Sequence, residues 1–239
     1  MKKMICQMSL ALALLLSAGV AIAQERIAGN GDVKKEVRDV TGFSGIAVGG
    51  SAHVYLVQGN TESVQIEAES NLLPYIIADI DHHNLSIHFK RGYNLKNTKP
   101  INIYVTAKDI DFIGASGGVK LDAIQGIKTD KIRLEASGSL SINMKLDAKA
   151  LDASFSGSVE AKIEGTVEEA EYAISGSANV SAPGLQTSSV NINISGSGDL
   201  DLAVVKDLNV SISGSGRIHY KGSPSITKHI SGSGRIYND

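Results

Sequence analysis

The chain has 239 residues, 42% of them apolar, with 5% aromatic residues, no tryptophan and a formal net charge of −2. That slightly acidic balance argues against nucleic acid and anionic membrane surfaces as partners. The scarcity of aromatic rings argues against a deep sugar cleft, and the single cysteine, Cys6, excludes an intrachain disulfide framework.

Lys2 and Lys3 lead into an apolar run from Leu10 to Val20 that ends at Ala21-Ile22-Ala23. This pattern predicts a cleaved secretory signal peptide over 1–23, the run being too short to span a bilayer as a helix. No cysteine stands at the cleavage point to carry lipid, and Cys6 leaves with the signal. The predicted mature protein therefore begins at Gln24 with no disulfide and no transmembrane segment. Without Lys2 and Lys3 it keeps 21 of the 23 basic residues against 25 acidic ones, a net charge of −4. Export directs it to the periplasm, the cell surface or the medium.

Residues 24–39 read as a polar leader without a clear period, either flexible or an edge strand. The remainder, 40–239, reads as one all-β domain with an irregular start over 43–110 and regular coils over 111–239. Ile46, Val48, Ala52, Val54 and Leu56 alternate around Gly50, as in a founding coil, and Val64, Ile66 and Ala68 share one face of the next strand. Leu72-Leu73-Pro74-Tyr75 breaks the alternation and predicts a turn that plugs one end of the core. Ile76–Ile80 and Leu85–Phe89 read as a hairpin across Asp81-His82-His83-Asn84. Residues 91–100 read as a polar loop, and 101–106 as a further strand.

From there one tripeptide returns. Ser-Gly-Ser stands at 137–139, 156–158, 175–177, 195–197, 213–215 and 231–233, after a looser Ser116-Gly117-Gly118. The central glycines are Gly117, Gly138, Gly157, Gly176, Gly196, Gly214 and Gly232, at spacings of 21, 19, 19, 20, 18 and 18 residues. A period in this range marks a solenoid. Positions two and four before and four and six after each glycine are mostly apolar, while the odd offsets are mostly polar. Strands with one buried face stack those positions into columns, one coil per repeat, giving a parallel β-solenoid. Gly50 and its seven successors become corner residues, where a side chain is expected to point into a tight bend, and the flanking serines turn outward to bond local backbone or water. The array stops part-way through a coil at Ile236-Tyr237-Asn238-Asp239. The open end predicts a cover, and self-association through it is the expectation.

One outward constellation has chemical interest. Asp199 and Asp201 share a face, with Arg217 and His219 one coil away. Two carboxylates beside an arginine are the ingredients of a cation site or of a glycan-cleaving site. The reading preferred is a solvated cross-coil ion-pair ladder, the ordinary way a sheet arranges opposite charges, which leaves Asp199, Asp201, Arg217 and His219 as candidate surface contacts and not as catalytic residues. Asp81-His82-His83, with His53 and His88, lacks any zinc-type spacing and reads as a turn. No cofactor is expected. Ser-Gly-Ser also lacks the strand-to-helix context of a hydrolase nucleophile, since no helix follows it.

Phe43-x-x-Ile46, Gln58-Gly59, Asn71-Leu72-Leu73-Pro74-Tyr75-Ile76, Leu85-x-Ile87, Lys99-Pro100-Ile101-x-Ile103 and the Ser-Gly-Ser-Gly corners together resemble the auto-transporter adhesin head GIN domain family, exported proteins of Bacteroidetes-type bacteria. The resemblance runs over about residues 40–237. It implies a β-helix of pectin-lyase-like appearance, no catalytic residues, and adhesion to a protein or glycan at the cell surface. The chain departs from an auto-transporter in lacking translocator-barrel strands, which implies that something else holds it there. Two further readings stay open: a polysaccharide-active lyase or hydrolase using the Asp199/Asp201 face, and a purely architectural module.

Overall fold

The computed structural model describes residues 25–238; the signal peptide expected over 1–23 lies outside them. The polar leader takes the edge-strand form: β1 (Glu25–Ala28) and β2 (Val33–Arg38) are both strands. They precede β3 (Gly45–Gln58), β4 (Ser63–Glu69), a 3-10 turn (Leu73–Tyr75), β5 (Ile76–Asp81), β6 (Asn84–Phe89), β7 (Tyr93–Lys96) and β8 (Asn102–Ala107). The coils follow as β9 (Phe112–Ala136), β10 (Ser139–Phe155), β11 (Ser158–Ile174), β12 (Ser177–Ile194) and β13 (Ser197–Ile212). The last coil and its continuation are β14 (Ser215–Lys221), β15 (Ser225–Ile230) and β16 (Ser233–Asn238). No helix among the described residues is long and apolar enough to cross a membrane.

Strands β9 to β16 pair in parallel, each coil lying on the one before, and β3 joins the stack with Gly50 in register with Gly117. The founding coil is therefore real. The insertion after it forms a mixed start. Strands β6 and β8 lie parallel to the two halves of β3 and supply one further coil, while β5, β4 and β2 close that end in antiparallel pairing. Leu72 and Leu73, at the 3-10 turn, are buried there, as expected of a plug. The loop expected over 91–100 instead holds β7, which pairs in parallel with β1. Its register partners lie 68 residues away and each strand is only four residues long, so no local pattern marks the pair.

Two walls face each other across a narrow apolar core. Before the corner, Ile113, Leu134, Ala153, Tyr172, Ile192 and Val210 stack in one buried column. After it, Leu121, Ile142, Ala161, Val180, Leu200 and Ile218 stack in another. Such in-register burial supports a coil that no single repeat could stabilise alone. The column ends at the last coil, where Lys228 follows Val210 and every residue of β15 is exposed.

The corner glycines are required for a different reason from the one expected. A Cβ on Gly157 would not enter the bend; it would run along the solenoid axis and meet the carbonyl oxygen of Gly138 at 1.8 Å. The same collision, at 2.0–2.2 Å, recurs at Gly138, Gly176, Gly196, Gly214 and Gly232 against the glycine one coil earlier. Only Gly50 and Gly117 among these corners have left-handed φ, at 97° and 107°. The ridge is thus a backbone-on-backbone contact. The serine preceding the glycine reinforces it, since Ser156 Oγ donates to the Ala136 carbonyl at 3.1 Å.

Register is strict at this corner and loose at the opposite one. The pairing shifts between Met144 and Leu146, between Lys162 and Gly165, and between Ala182 and Gln186, so the variable coil length is absorbed there. Packing across the strict corner trades volume. Phe155 and Val159 flank the Gly157 corner in an early coil, whereas Ile194, Ile212 and Ile230 pack against Gly198, Gly216 and Gly234. A Cβ on Gly198 would lie 2.8 Å from Ile194 Cδ1, so the isoleucine methyl occupies the room that Gly198 leaves.

Candidate functional site

The glycine ridge divides the outer surface into two axial grooves. Residues one and three after each corner glycine point outward and line the larger, of about 1430 Å³. Residues one and three before it line the smaller, of about 760 Å³. The trough follows from side-chain size. Serines such as Ser139, Ser158, Ser177 and Ser197 lay a shallow hydroxyl floor, while Glu160 and Arg217 raise a wall. Both grooves run across successive coils and are open to solvent.

Of the sequence-predicted constellation, Asp199 and Arg217 line the larger groove, while Asp201 and His219 lie two residues further along the same strands and are not among its lining residues. Asp199 stands in register with Arg217, and Asp201 with His219. An Arg217 nitrogen lies 3.1 Å from Asp199 Oδ2, and His219 Nδ1 lies 3.0 Å from Asp201 Oδ1. Each carboxylate is tied to a side chain of the next coil, rather than aimed with its neighbour at a shared point. The ladder continues onto Tyr237, whose ring stacks on His219 with centroids 4.9 Å apart. Similar cross-coil pairs join Lys128 to Asp147 and Lys149 to Asp130. The turn histidines His82 and His83 take left-handed φ of 47° and 65°, as the hairpin requires. Among the described residues no three His, Cys, Asp or Glu side chains converge on a metal position.

Two side-chain clusters near the N-terminal end had no sequence signal. His53 Nε2 lies 2.6 Å from Asp122 Oδ2, and the Tyr55 hydroxyl lies 3.0 Å from His53 Nδ1. His53, Tyr55 and Tyr104 stack face to face, and Lys35 covers the far side of Tyr104 at 4.7 Å. Both imidazole nitrogens and most ring faces are therefore occupied, which leaves a rigid strut instead of a platform. The second cluster surrounds Glu69, which is only 1% exposed. Its carboxylate accepts from the Thr98 hydroxyl at 2.7 Å and from the backbone N–H groups of Thr98, Gly31 and Lys99. These bonds, the Thr98 hydroxyl foremost, hold its pKa down at about 2. Glu69 thereby clips the segments around β1 and β7 to the end of the solenoid. Only the contacts between residues some 30 to 70 positions apart reveal either cluster.

A family model described as "Putative auto-transporter adhesin, head GIN domain" matches residues 42–224. Among solved structures, the chain is similar to a "putative adhesin" from Bacteroides fragilis NCTC 9343, with 24% identity over 89% of this chain and 100% of that one, at a TM-score of 0.82. It is similar to a "putative lipid binding protein" from Parabacteroides distasonis ATCC 8503, with 23% identity over 90% and 100% of the two chains, at a TM-score of 0.69. A "putative adhesin" from Parabacteroides merdae ATCC 43184 is 22% identical over 90% and 99%, at a TM-score of 0.65. At these identities the likeness is one of fold. No curated protein matches the chain.

Proposed function

The chain belongs to the auto-transporter adhesin head GIN domain family, and from that premise we propose that it is an exported, non-enzymatic protein that makes adhesive contacts at the cell surface through its larger axial groove. The observation that carries this reading is the groove itself: a continuous, open, hydroxyl-floored trough across successive coils, suited to an extended polymer. A cleaving enzyme needs a carboxylic acid and a carboxylate poised on one bond. Asp199 and Asp201 are instead each engaged by a basic side chain of the next coil, which favours contact over catalysis. The family and the fold of its neighbours agree with a surface role.

A glycan array on the purified protein, with reducing-end release followed on every positive, tests the proposal. Binding without release is the expected result. Release that disappears when Asp199 and Asp201 are both replaced by asparagine would establish the lyase or hydrolase reading instead. No binding to any glycan would remove the groove as a glycan-contact surface and turn the search to a protein partner.

A further inference from the structure

We infer that the C-terminal end of the larger groove is a binding site for acidic glycans, with Arg217 and Arg235 as its cations and Tyr237 as its stacking face. This rests on the contact surface proposed above and adds the class of ligand.

The charge distribution points to that end. Between Asp207 and Asp239 the sequence carries Arg217, Lys221, Lys228 and Arg235 and no carboxylate, although the whole chain is acidic. Strand pairing sets Arg217 and Arg235 opposite one another in adjacent coils, and both line the groove. Like charges placed directly opposite on a sheet are unfavourable. Opposite signs stack at Lys128 and Asp147, and one other like-charged pair, Asp152 and Glu171, stands opposite in the coils. Here the one carboxylate next to the arginines in the column, Asp199, is bound to Arg217, and the other, Glu160, stands two coils before Asp199. Among the described residues Arg235 has no ion-pair partner. Two guanidinium-bearing side chains one coil apart, at about 4.8 Å between strands, suit an anion seated between them. Arginine binds carboxylate and sulfate oxygens through paired N–H donors.

Tyr237 turns this anion site into a sugar site. It lies two residues beyond Arg235, on the same outer face of β16, roughly 6.7 Å along the strand. One face of its ring rests on His219, and the residue is 45% exposed. A pyranose stacked on that ring brings its acidic substituent, or its neighbour's, to Arg235. The floor beneath offers the exposed Ser215 and Ser233. Hydroxyls and backbone suit the hydroxyls of a glycan. The serine hydroxyls and the exposed tyrosine ring side by side are the reason a glycan is favoured over an acidic peptide.

The test uses oligogalacturonate, its fully methyl-esterified form, chondroitin sulfate and polyglutamate as probes in calorimetric titrations. The ester keeps the sugar backbone and removes the charge; polyglutamate keeps the charge and removes the sugar. One or both acidic glycans are expected to bind, and where oligogalacturonate binds, its acid form binds about tenfold more tightly than the ester, a charge-assisted contact being lost. Binding weakens as salt rises from about 50 to about 300 mM. Arg235→Gln lowers acidic-glycan affinity about tenfold with an unchanged thermal midpoint. Tyr237→Ala weakens the glycans without affecting polyglutamate. Equal binding of acid and ester, an unaffected Arg235→Gln variant, polyglutamate binding as tightly as the glycans, or no binding of either acidic glycan each overturns the inference. If neutral glycans bind on the array while these probes fail, the contact surface stands and the acidic site falls. If no glycan binds in either experiment, the acidic site falls together with the groove as a glycan-contact surface.

Discussion

Replacing Gly157 by alanine tests the reading of the ridge. The added Cβ would lie 1.8 Å from the Gly138 carbonyl oxygen, which is backbone and which accepts from Ser158 N at 2.9 Å. To reach ordinary contact the two coils must separate locally by more than roughly 1 Å, in a stack whose spacing is only about 4.8 Å. Overpacking of this kind costs about 1–3 kcal/mol or more. Each cross-coil hydrogen bond stretched beyond its range adds about 1 kcal/mol. A total near 3–5 kcal/mol corresponds, for a domain of this size, to a midpoint lowered by roughly 6–20 °C. Gly157 is not in the left-handed region, so the loss comes from contact and not from backbone strain. Thermal unfolding followed by circular dichroism measures it, with Gly184→Ala as the control. At Gly184 the new Cβ meets only the flexible Glu164 side chain, at 3.3 Å, and a change within about 1 kcal/mol is expected. If Gly157→Ala melts within 2 °C of the parent, or no lower than the Gly184 variant, the backbone-contact account of the repeat is wrong.

Glu69 sets an acid limit on the N-terminal end. Because its pKa is depressed, to about 2, its contribution is complete above the ordinary carboxylate value of 4.5 and is lost as the pH falls through about 2. Amide exchange at Gly31 and Thr98 is expected to lose protection across that window relative to the coils, and Glu69→Gln to abolish the pH dependence; protection unchanged at pH 2 contradicts the assignment. Tyr172 is fully buried and its hydroxyl lacks a hydrogen-bond partner among the described residues. Tyr172→Phe should therefore stabilise by about 1 kcal/mol, a rise of roughly 2–4 °C, and a lowered midpoint would reveal an unrecognised partner.

The coil register was legible because one residue type marks it at every turn, and the stacked columns follow from two-residue alternation around that mark. The Asp199–Arg217 and Asp201–His219 pairs were legible for the same reason: an eighteen-residue spacing places them side by side. What escaped is what has no period. The pairing of β1 with β7 joins segments far apart in sequence by a ladder of only four residues, and the Glu69 clip and the His53–Asp122 contact do so through single polar side chains. The opposite corner left a trace, in Gly126, Gly165, Gly184 and Gly222, eight or nine residues after the ridge glycines. It was obscured because coil length varies there. The purpose of the corner glycine was misjudged because sequence alone does not show that the axis, and not the bend, is the crowded direction.

The exchange of volume across the strict corner limits how such an array can lengthen. The last three ridge corners share one composition, isoleucine before and glycine after, and are 18 residues apart. A duplicated copy of that unit meets the same neighbour on both sides and can be inserted without repacking. A unit from the Ala136–Leu140 or Phe155–Val159 corners brings a side chain where the late coils keep an isoleucine methyl. Growth or shortening by whole coils is therefore easiest within the C-terminal block, which gives the molecule a replicable end and a fixed one.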